Sequence, residues 1–140
     1  VVILAGYPKE MKRMVEMNPG LKDRIGFTIV FPDYSVDELI EIFDKFCVER
    51  SYALDFEARI KFREILNEIY KNKKQNFSNA RLVRKLFERL EMIQNDRLCE
   101  SKTFDKDELV RFKLHDVEIL NDDKEIKEIV GSGKGSMIGF

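Results

Sequence analysis

Arginines in two short motifs are the residues of this chain best suited to phosphate chemistry. Arg24 follows the break Asn18-Pro19-Gly20 and precedes an apolar run, which predicts a short, well-positioned turn. A guanidinium held in such a place can stabilise the negative charge that builds on a transferred phosphoryl group. A surface arginine that pairs with Asp23 is the other open interpretation.

The second motif is Ser-Asn-Ala-Arg-Leu-Val-Arg at residues 78–84. Arg81 falls near the predicted start of a long helix, where free backbone N–H groups and a guanidinium together favour an anion. Arg84 lies one turn further along the helix and could support Arg81 or face a neighbouring molecule. A helix face that presents both arginines to solvent is the alternative.

Two apolar runs and a short helix must position Arg24. Residues 1–5 and 27–31 are continuous β-branched and aliphatic or aromatic stretches, which are typical of strands buried in a parallel sheet. Between them, Pro8 suits the first turn of a helix that has Met11, Met14 and Val15 on one side. Residues 32–34 are predicted to form a hinge to the helical region after them.

Helical periodicity dominates after the hinge. Ser35 and Glu38 form a capping box that begins a helix extending to about Arg50. Asp55 should cap a second helix, and Ser78 or Asn79 should cap a third over residues 80–99. The residues predicted to form the apolar helix faces are Leu39, Ile40, Phe43, Phe46, Cys47, Phe56, Ile60, Ile65, Leu66, Ile69, Leu82, Val83, Leu86, Phe87, Leu90 and Ile93.

The predicted fold class is mainly α, in three parts. Residues 1–31 are the end of an α/β core with two strands and a short helix, residues 32–100 are a helical bundle, and residues 101–140 are a C-terminal extension and flexible tail. Residues 52–54 should form an extended link. The extension should contain a helical turn near residues 105–109 and helices near 114–120 and 122–130, and the tail should be mobile from residue 131.

The order of these motifs resembles the second half of an AAA+ ATPase module over roughly residues 1–98. The motif Asn-Pro-Gly-Leu-Lys-Asp-Arg-Ile at residues 18–25 and Asn-Ala-Arg at residues 79–81 carry the resemblance. Within that superfamily the chain is similar to the branch of stage V sporulation protein K and the red-type Rubisco activase. The resemblance implies that the helical bundle is the AAA+ lid domain.

The resemblance also implies roles for four residues. Arg24 would be the arginine finger that acts on a neighbouring subunit, and Arg81 would be the sensor-2 arginine, with Arg84 as a support. Tyr7 stands at the sensor-1 position, where many AAA+ modules have Asn, and a packing role is its alternative. The parent protein would use ATP and Mg²⁺, form a ring, expected to be a hexamer, and remodel a protein partner.

The phosphate loop and acidic pair that such an ATPase needs match no segment here, and we expect them, with the pore loop, before Val1. The glycine-rich tail at residues 131–136 lacks the phosphate-loop spacing and is interpreted as a linker. The isolated chain is therefore expected neither to hydrolyse ATP nor to bind it tightly. The alternative function is a non-catalytic helical module for protein interaction.

Composition narrows the partners and the compartment. A formal net charge of −1 gives no global attraction to nucleic acid, and no apolar run is long enough to span a membrane. The basic loop of Lys71, Lys73 and Lys74 is interpreted as a solvated helix end. Cys47, Cys99 and His115 match no metal spacing, so no metal site is expected, and two unpaired thiols fit the cytoplasm.

Overall fold

The computed structural model describes residues 1–73, 77–101 and 105–131. They divide into two compact units, Val1–Asp33 and a second unit from Tyr34 onward, which we call the lid. The predicted tail beyond residue 131, and Lys74 of the basic loop, lie outside the described residues. The mainly α fold class is confirmed.

The first unit contains two helices, α1 (Pro8–Met17) and α2 (Pro19–Lys22). Each begins with a proline at its first position, where the missing N–H costs no helical hydrogen bond. Met11, Met14 and Val15 are the half-buried side of α1, as the spacing predicts. No residue of Val1–Asp33 is buried, so this unit has no core of its own among the described residues.

The two apolar runs that flank these helices do not form the predicted strands. Residues 1–5 and 27–31 belong to no sheet, and their side chains include the exposed Val1, Ile3, Phe27 and Phe31. A strand is stabilised by hydrogen bonds to neighbouring strands and by burial of its faces. The one sheet in the described chain lies in the lid, so neither run has a ladder partner here.

The lid begins with α3 (Val36–Glu49), and its predicted capping box is confirmed. The Ser35 hydroxyl accepts a hydrogen bond from the Glu38 backbone N–H at 3.3 Å, and the Glu38 carboxylate accepts one from the Ser35 N–H at 2.7 Å. The backbone hydrogen bond from Ser35 is the largest cause of a lowered Glu38 pKa. The start of α3 is therefore sharply fixed.

The next segment is β1 (Ala53–Leu54), which leads into α4 (Phe56–Lys71). Asp55 is the N-cap residue, but its carboxylate pairs with Arg111 at 3.2 Å and makes no capping hydrogen bond. Phe56 and Ile60, predicted on the apolar face, are exposed. The buried face of α4 includes Phe62, and residues two positions apart lie about 200° apart around a helix, so Ile60 cannot share that face.

Helix α5 (Asn79–Glu100) is the longest element of the lid. Ser78 is its N-cap residue, although no side-chain capping bond forms, and Asn79 is the first helical residue. A 3-10 turn (Glu108–Val110), β2 (Arg111–Phe112), α6 (Leu114–Asp122) and α7 (Lys124–Gly131) follow. Strand β2 pairs with β1 in parallel, with Ala53 opposite Arg111 and Leu54 opposite Phe112.

Aromatic rings form the centre of the lid core. The Phe43 ring centroid lies 4.2 Å from that of Phe62 and 5.6 Å from that of Phe87, and Tyr52 stacks on Phe112 at 4.7 Å. Helices α3, α4 and α5 supply the first three rings, and β2 supplies Phe112. The buried apolar residues after the predicted boundary at residue 100 are Phe112, Val117, Leu120 and Ile126.

Candidate functional site

Arg24 lies just after α2, on the short turn that the Pro-Gly break predicts. Its backbone N–H donates to the Leu21 carbonyl at 3.1 Å, which fixes the turn. The residue is exposed, and its guanidinium makes no ion pair with Asp23 or with any other residue that the structure describes. The backbone of Arg24 is therefore fixed, while its guanidinium is exposed and able to contact another molecule.

Tyr7 is the residue immediately before α1. Its carbonyl accepts a hydrogen bond from the Met11 N–H at 2.9 Å, and its backbone is extended, with φ −70° and ψ 145°. The side chain is about half exposed, so the described residues do not enclose the ring. The sensor-1 role of Tyr7 stays a prediction.

The first turns of α5 carry a concentration of positive charge. Arg81, Arg84 and Lys85 are exposed there, and the first turn contains no acidic residue. Every other described helix of eight or more residues has an aspartate or glutamate in its first turn. Because the N-terminal end of a helix is the positive end of its dipole, this end of α5 favours an anion.

The six other arginines of the lid have carboxylate partners. The pairs join Arg50 to Glu91, Arg59 to Asp44, Arg63 to Asp37, Arg89 to Asp123, Arg97 to Asp116 and Arg111 to Asp55. Each pair connects two different elements or the segments beside them. Arg81 and Arg84 have no carboxylate partner within the described ranges, and Arg84 instead lies 5.5 Å from the centroid of the Phe46 ring.

Sequence reasoning did not identify a buried polar network that joins α5 to β2 and α6. The Asp116 carboxylate is fully buried and accepts from Arg97 Nε at 2.7 Å and from the Lys113 N–H at 2.8 Å. Gln94 Nε2 donates to the carbonyls of Glu108 and Arg111. No local pattern marks the bonds made by Gln94 and Arg97, because each of them spans 14 to 19 positions between separate elements.

The remaining candidate groups are the possible metal ligands and the two thiols. Within the described chain, no cluster of three or more His, Cys, Asp or Glu side chains is arranged to hold a metal ion. Burial raises the pKa of the Cys47 thiol to about 12, which makes the thiol a poor ligand and nucleophile, whereas Cys99 is exposed. None of the described helices combines the length and apolar character needed to cross a membrane.

Known proteins are similar to this chain over the lid and over much of its length. The model of a family described as the AAA lid domain matches residues 35–128. Stage V sporulation protein K of Bacillus subtilis (strain 168) is 38% identical over 120 residues, which are 85% of this chain and 37% of that protein. Protein CfxQ of Xanthobacter flavus is 40% identical over 101 residues, which are 72% of this chain and 31% of that protein.

A third relative agrees with these. Protein CbbX of Cereibacter sphaeroides is 37% identical over 98 residues, which are 70% of this chain and 31% of that protein. The chain thus spans less than half the length of the curated relatives it matches. The family match covers more than half of this chain. The chain therefore belongs to the AAA lid domain family, in the branch that includes stage V sporulation protein K, CfxQ and CbbX.

Proposed function

We propose that this chain supplies the arginine finger, the sensor-2 arginine and the lid of an AAA+ ATPase that couples ATP hydrolysis to the remodelling of a protein partner. ATP is the substrate. Arg24 acts on the phosphates bound to a neighbouring subunit of a ring, which we propose to be a hexamer, and Arg81 acts within its own subunit. We propose a cytoplasmic location for the assembly.

The observation that carries this proposal is the state of the lid arginines. Six of them form ion pairs with carboxylates. Within the described ranges Arg81 and Arg84 have no such partner, and both lie near the end of α5 whose first turn lacks an acidic residue. A helix N-terminus with a free guanidinium suits phosphate oxygens. Similarity to the AAA lid domain family supports the same assignment.

Arg24 fits the second part of the proposal. Phosphoryl transfer places negative charge on the transferred group, and an arginine brought from outside the nucleotide's own subunit stabilises that charge. The guanidinium of Arg24 is exposed and unpaired within the described part of the chain. In the full-length protein ATP would be bound together with Mg²⁺, and among the residues described here no cluster is arranged to hold a metal ion.

The test uses the full-length protein that carries this chain. We expect Arg24→Ala to reduce kcat by about 10³–10⁵-fold while leaving the dissociation constant for ATP nearly unchanged, because the finger acts on transition-state charge. Arg13→Ala is the matched control, since Arg13 is another exposed arginine of the first unit and should retain full activity. Equal losses in both variants would contradict the assignment of Arg24.

Mixed rings test whether Arg24 acts between subunits. An Arg24→Ala subunit can still bind ATP, and a subunit with an inactivated phosphate loop still offers Arg24. Rings that contain both should therefore recover part of the hydrolysis that either variant lacks alone. If mixed rings form but no mixing ratio restores activity, Arg24 acts in some other way.

Arg81→Ala should weaken both ATP binding and hydrolysis, because Arg81 would contact phosphates already in the ground state. Lys124→Ala is the control, since Lys124 is an exposed cation of the lid that lies outside α5. Full-length protein that shows no ATP hydrolysis at all would instead support the alternative, a non-catalytic helical module for protein interaction.

A further inference from the structure

Asn79 has a backbone conformation that most residues avoid. Its φ angle is +44°, in the left-handed region, although it is the first residue of α5. Asparagine tolerates this region better than other residues with a Cβ atom, because its short amide can bond locally. A strained residue in this position indicates that contacts of its side chain hold it there.

The contacts of the Asn79 side chain include two hydrogen bonds to other described residues. Its Oδ1 accepts from the Tyr34 backbone N–H at 2.9 Å, across 45 positions of the sequence. Its Nδ2 donates to the Phe77 carbonyl at 3.0 Å. One end of the amide thus meets a donor and the other an acceptor, which sets the orientation of the group.

Both contacts lead to firmly placed parts of the lid. Tyr34 is the first residue of the lid and directly precedes the capping box of α3. The Phe77 ring packs edge-on against Tyr70, with the centroids 6.1 Å apart, and contacts the lid core. Asn79 therefore joins the backbone at the entrance to the lid with the end of α4 and the beginning of α5.

Arg81 is two residues beyond Asn79, in the first turn of the same helix. Its backbone N–H donates to the Ser78 carbonyl at 2.9 Å, so its position follows the position of this turn. We propose that Asn79 is a positioning residue that links the backbone at Tyr34 to the placement of Arg81. This inference rests on the proposed function, because it concerns how Arg81 reaches the phosphates of ATP.

Three substitutions separate the features of Asn79. Asn79→Asp keeps an oxygen that accepts from Tyr34 and removes the donor to Phe77. Asn79→Gly removes both bonds and adopts the positive φ without strain. Asn79→Ala also removes both bonds but keeps a Cβ atom, which is strained at a positive φ. A comparison of Asn79→Gly with Asn79→Ala therefore separates the loss of the hydrogen bonds from a folding defect.

The tie itself is tested on this 140-residue chain by amide hydrogen exchange. The Tyr34 N–H should exchange slowly in the original chain and in Asn79→Asp, and about 3- to 10-fold faster in Asn79→Gly, as expected for loss of one hydrogen bond. Amides in the middle of α5 should keep their exchange rates. Unchanged exchange at Tyr34 in Asn79→Gly would overturn the inference.

A double-mutant cycle in the full-length ATPase tests the positioning role. Asn79→Gly should raise the dissociation constant for ATP about 3- to 10-fold. Asn79→Asp is left out of this test, because its negative charge would itself repel the phosphates. In the Arg81→Ala background Asn79→Gly should have no further effect, because the residue that it positions is gone. A merely structural role would give the same loss in both backgrounds, and that outcome would overturn the inference.

The cycle also separates the two proposals. If Arg81→Ala weakens ATP binding but the two losses add, the proposed function of Arg81 survives and the role of Asn79 is wrong. If Arg81→Ala changes neither binding nor hydrolysis, the assignment of Arg81 fails, and the positioning role fails with it even where the hydrogen-exchange result holds.

Discussion

The two units of this chain use the same kinds of residue in opposite ways. In Val1–Asp33 the apolar residues of both runs are exposed and no residue is buried. In the lid, apolar residues from the helices and β2 form one core around stacked and tilted aromatic rings. The lid therefore holds its stabilising contacts within the described chain, and the first unit does not.

Arginines show the same contrast. Arg13 and Arg24 of the first unit are exposed and unpaired in the described chain, whereas most lid arginines brace one element against another. Within the lid, Arg81 and Arg84 are the exceptions. Among the described residues, the arginines proposed for phosphate chemistry therefore all lie outside the ion pairs that stabilise the fold, and Arg13 is a further unpaired arginine without a proposed role.

The largest effect should come from removing an aromatic ring from the lid core. Phe43 is fully buried and contacts three other rings, so Phe43→Ala should lower the free energy of unfolding by about 3–5 kcal/mol. Phe31→Ala, in the exposed run, should change it by less than about 0.5 kcal/mol. Urea unfolding of both variants measures the difference, and similar losses would erase the contrast between the units.

A somewhat smaller effect should come from the buried ion pair. Asp116→Ala leaves the Arg97 guanidinium without its partner in a largely buried place, at a cost of about 3 kcal/mol or more. Asp44→Ala breaks a pair with Arg59 in which both side chains are more than a third exposed, and should cost less than about 1 kcal/mol. Equal losses in the free energy of unfolding would mean that burial does not determine how much these ion pairs stabilise the lid.

Acid should weaken a third ion pair, between Arg89 and Asp123. Burial acts to raise the pKa of Asp123, but hydrogen bonds from the Glu125 N–H and from Arg89 outweigh it, so the pKa of this carboxyl lies below its ordinary value. A lowered pKa in the folded state adds stability above the unfolded value, and that stability is lost as the pH falls through the folded value.

The pH dependence of urea unfolding between pH 5 and the lowest pH at which the lid still folds, roughly pH 3, measures this contribution. Asp123→Asn should flatten part of the decline, whereas Asp122→Asn is the control, because Asp122 is the adjacent, more exposed carboxylate. Identical pH profiles for the original chain and Asp123→Asn would show that this carboxylate contributes nothing.

The smallest change in stability should follow removal of residues 1–30, which are most of the first unit. A chain that starts at Phe31 should keep cooperative thermal unfolding, because the lid core lies after Asp33. Loss of the cooperative transition would show that the lid depends on the first unit.

The two cysteines should differ in reactivity. At pH 8 the buried Cys47 should stay unreactive to a thiol reagent while Cys99 reacts.

Removal of residues 1–30 should also reduce self-association. Exposed apolar runs with unpaired backbone groups can pair with other chains. Sedimentation of the two chains at matched concentration compares their association, and the shorter chain should be the more monomeric. Stronger association of the shorter chain would place the association surface on the lid instead.

Local sequence signals predicted the helices of the lid well. Ser35 and Glu38 specify a helix start through atoms only three residues apart, and the structure contains both hydrogen bonds. The sequence did not show which face of α4 is buried. Ile60 and Phe62 are both apolar, and only packing decides which of the two is buried. The motifs identified Arg24 and Arg81 as candidates, and their roles stay proposals.

Contacts between residues far apart in the chain could not be predicted from the sequence. Strands β1 and β2 contain two residues each, too few to give an alternating pattern, and they lie more than fifty positions apart. The hydrogen bond between Asn79 and Tyr34 spans 45 positions, and the sequence instead predicted Asn79 as a possible cap. The predicted strands at residues 1–5 and 27–31 failed for a related reason, since composition shows strand character but not whether a neighbouring strand is present.

The pairing of β1 with β2 has a kinetic consequence. The pair closes a long loop that contains α4 and α5, and closing it reduces the entropy of the chain before the hydrogen bonds compensate. Local helix formation and packing of α3, α4 and α5 should therefore precede this pairing during folding. Weakening β2 would then accelerate unfolding while leaving the folding rate nearly unchanged, so a two-residue strand that pairs late in folding helps to set how long the lid stays folded.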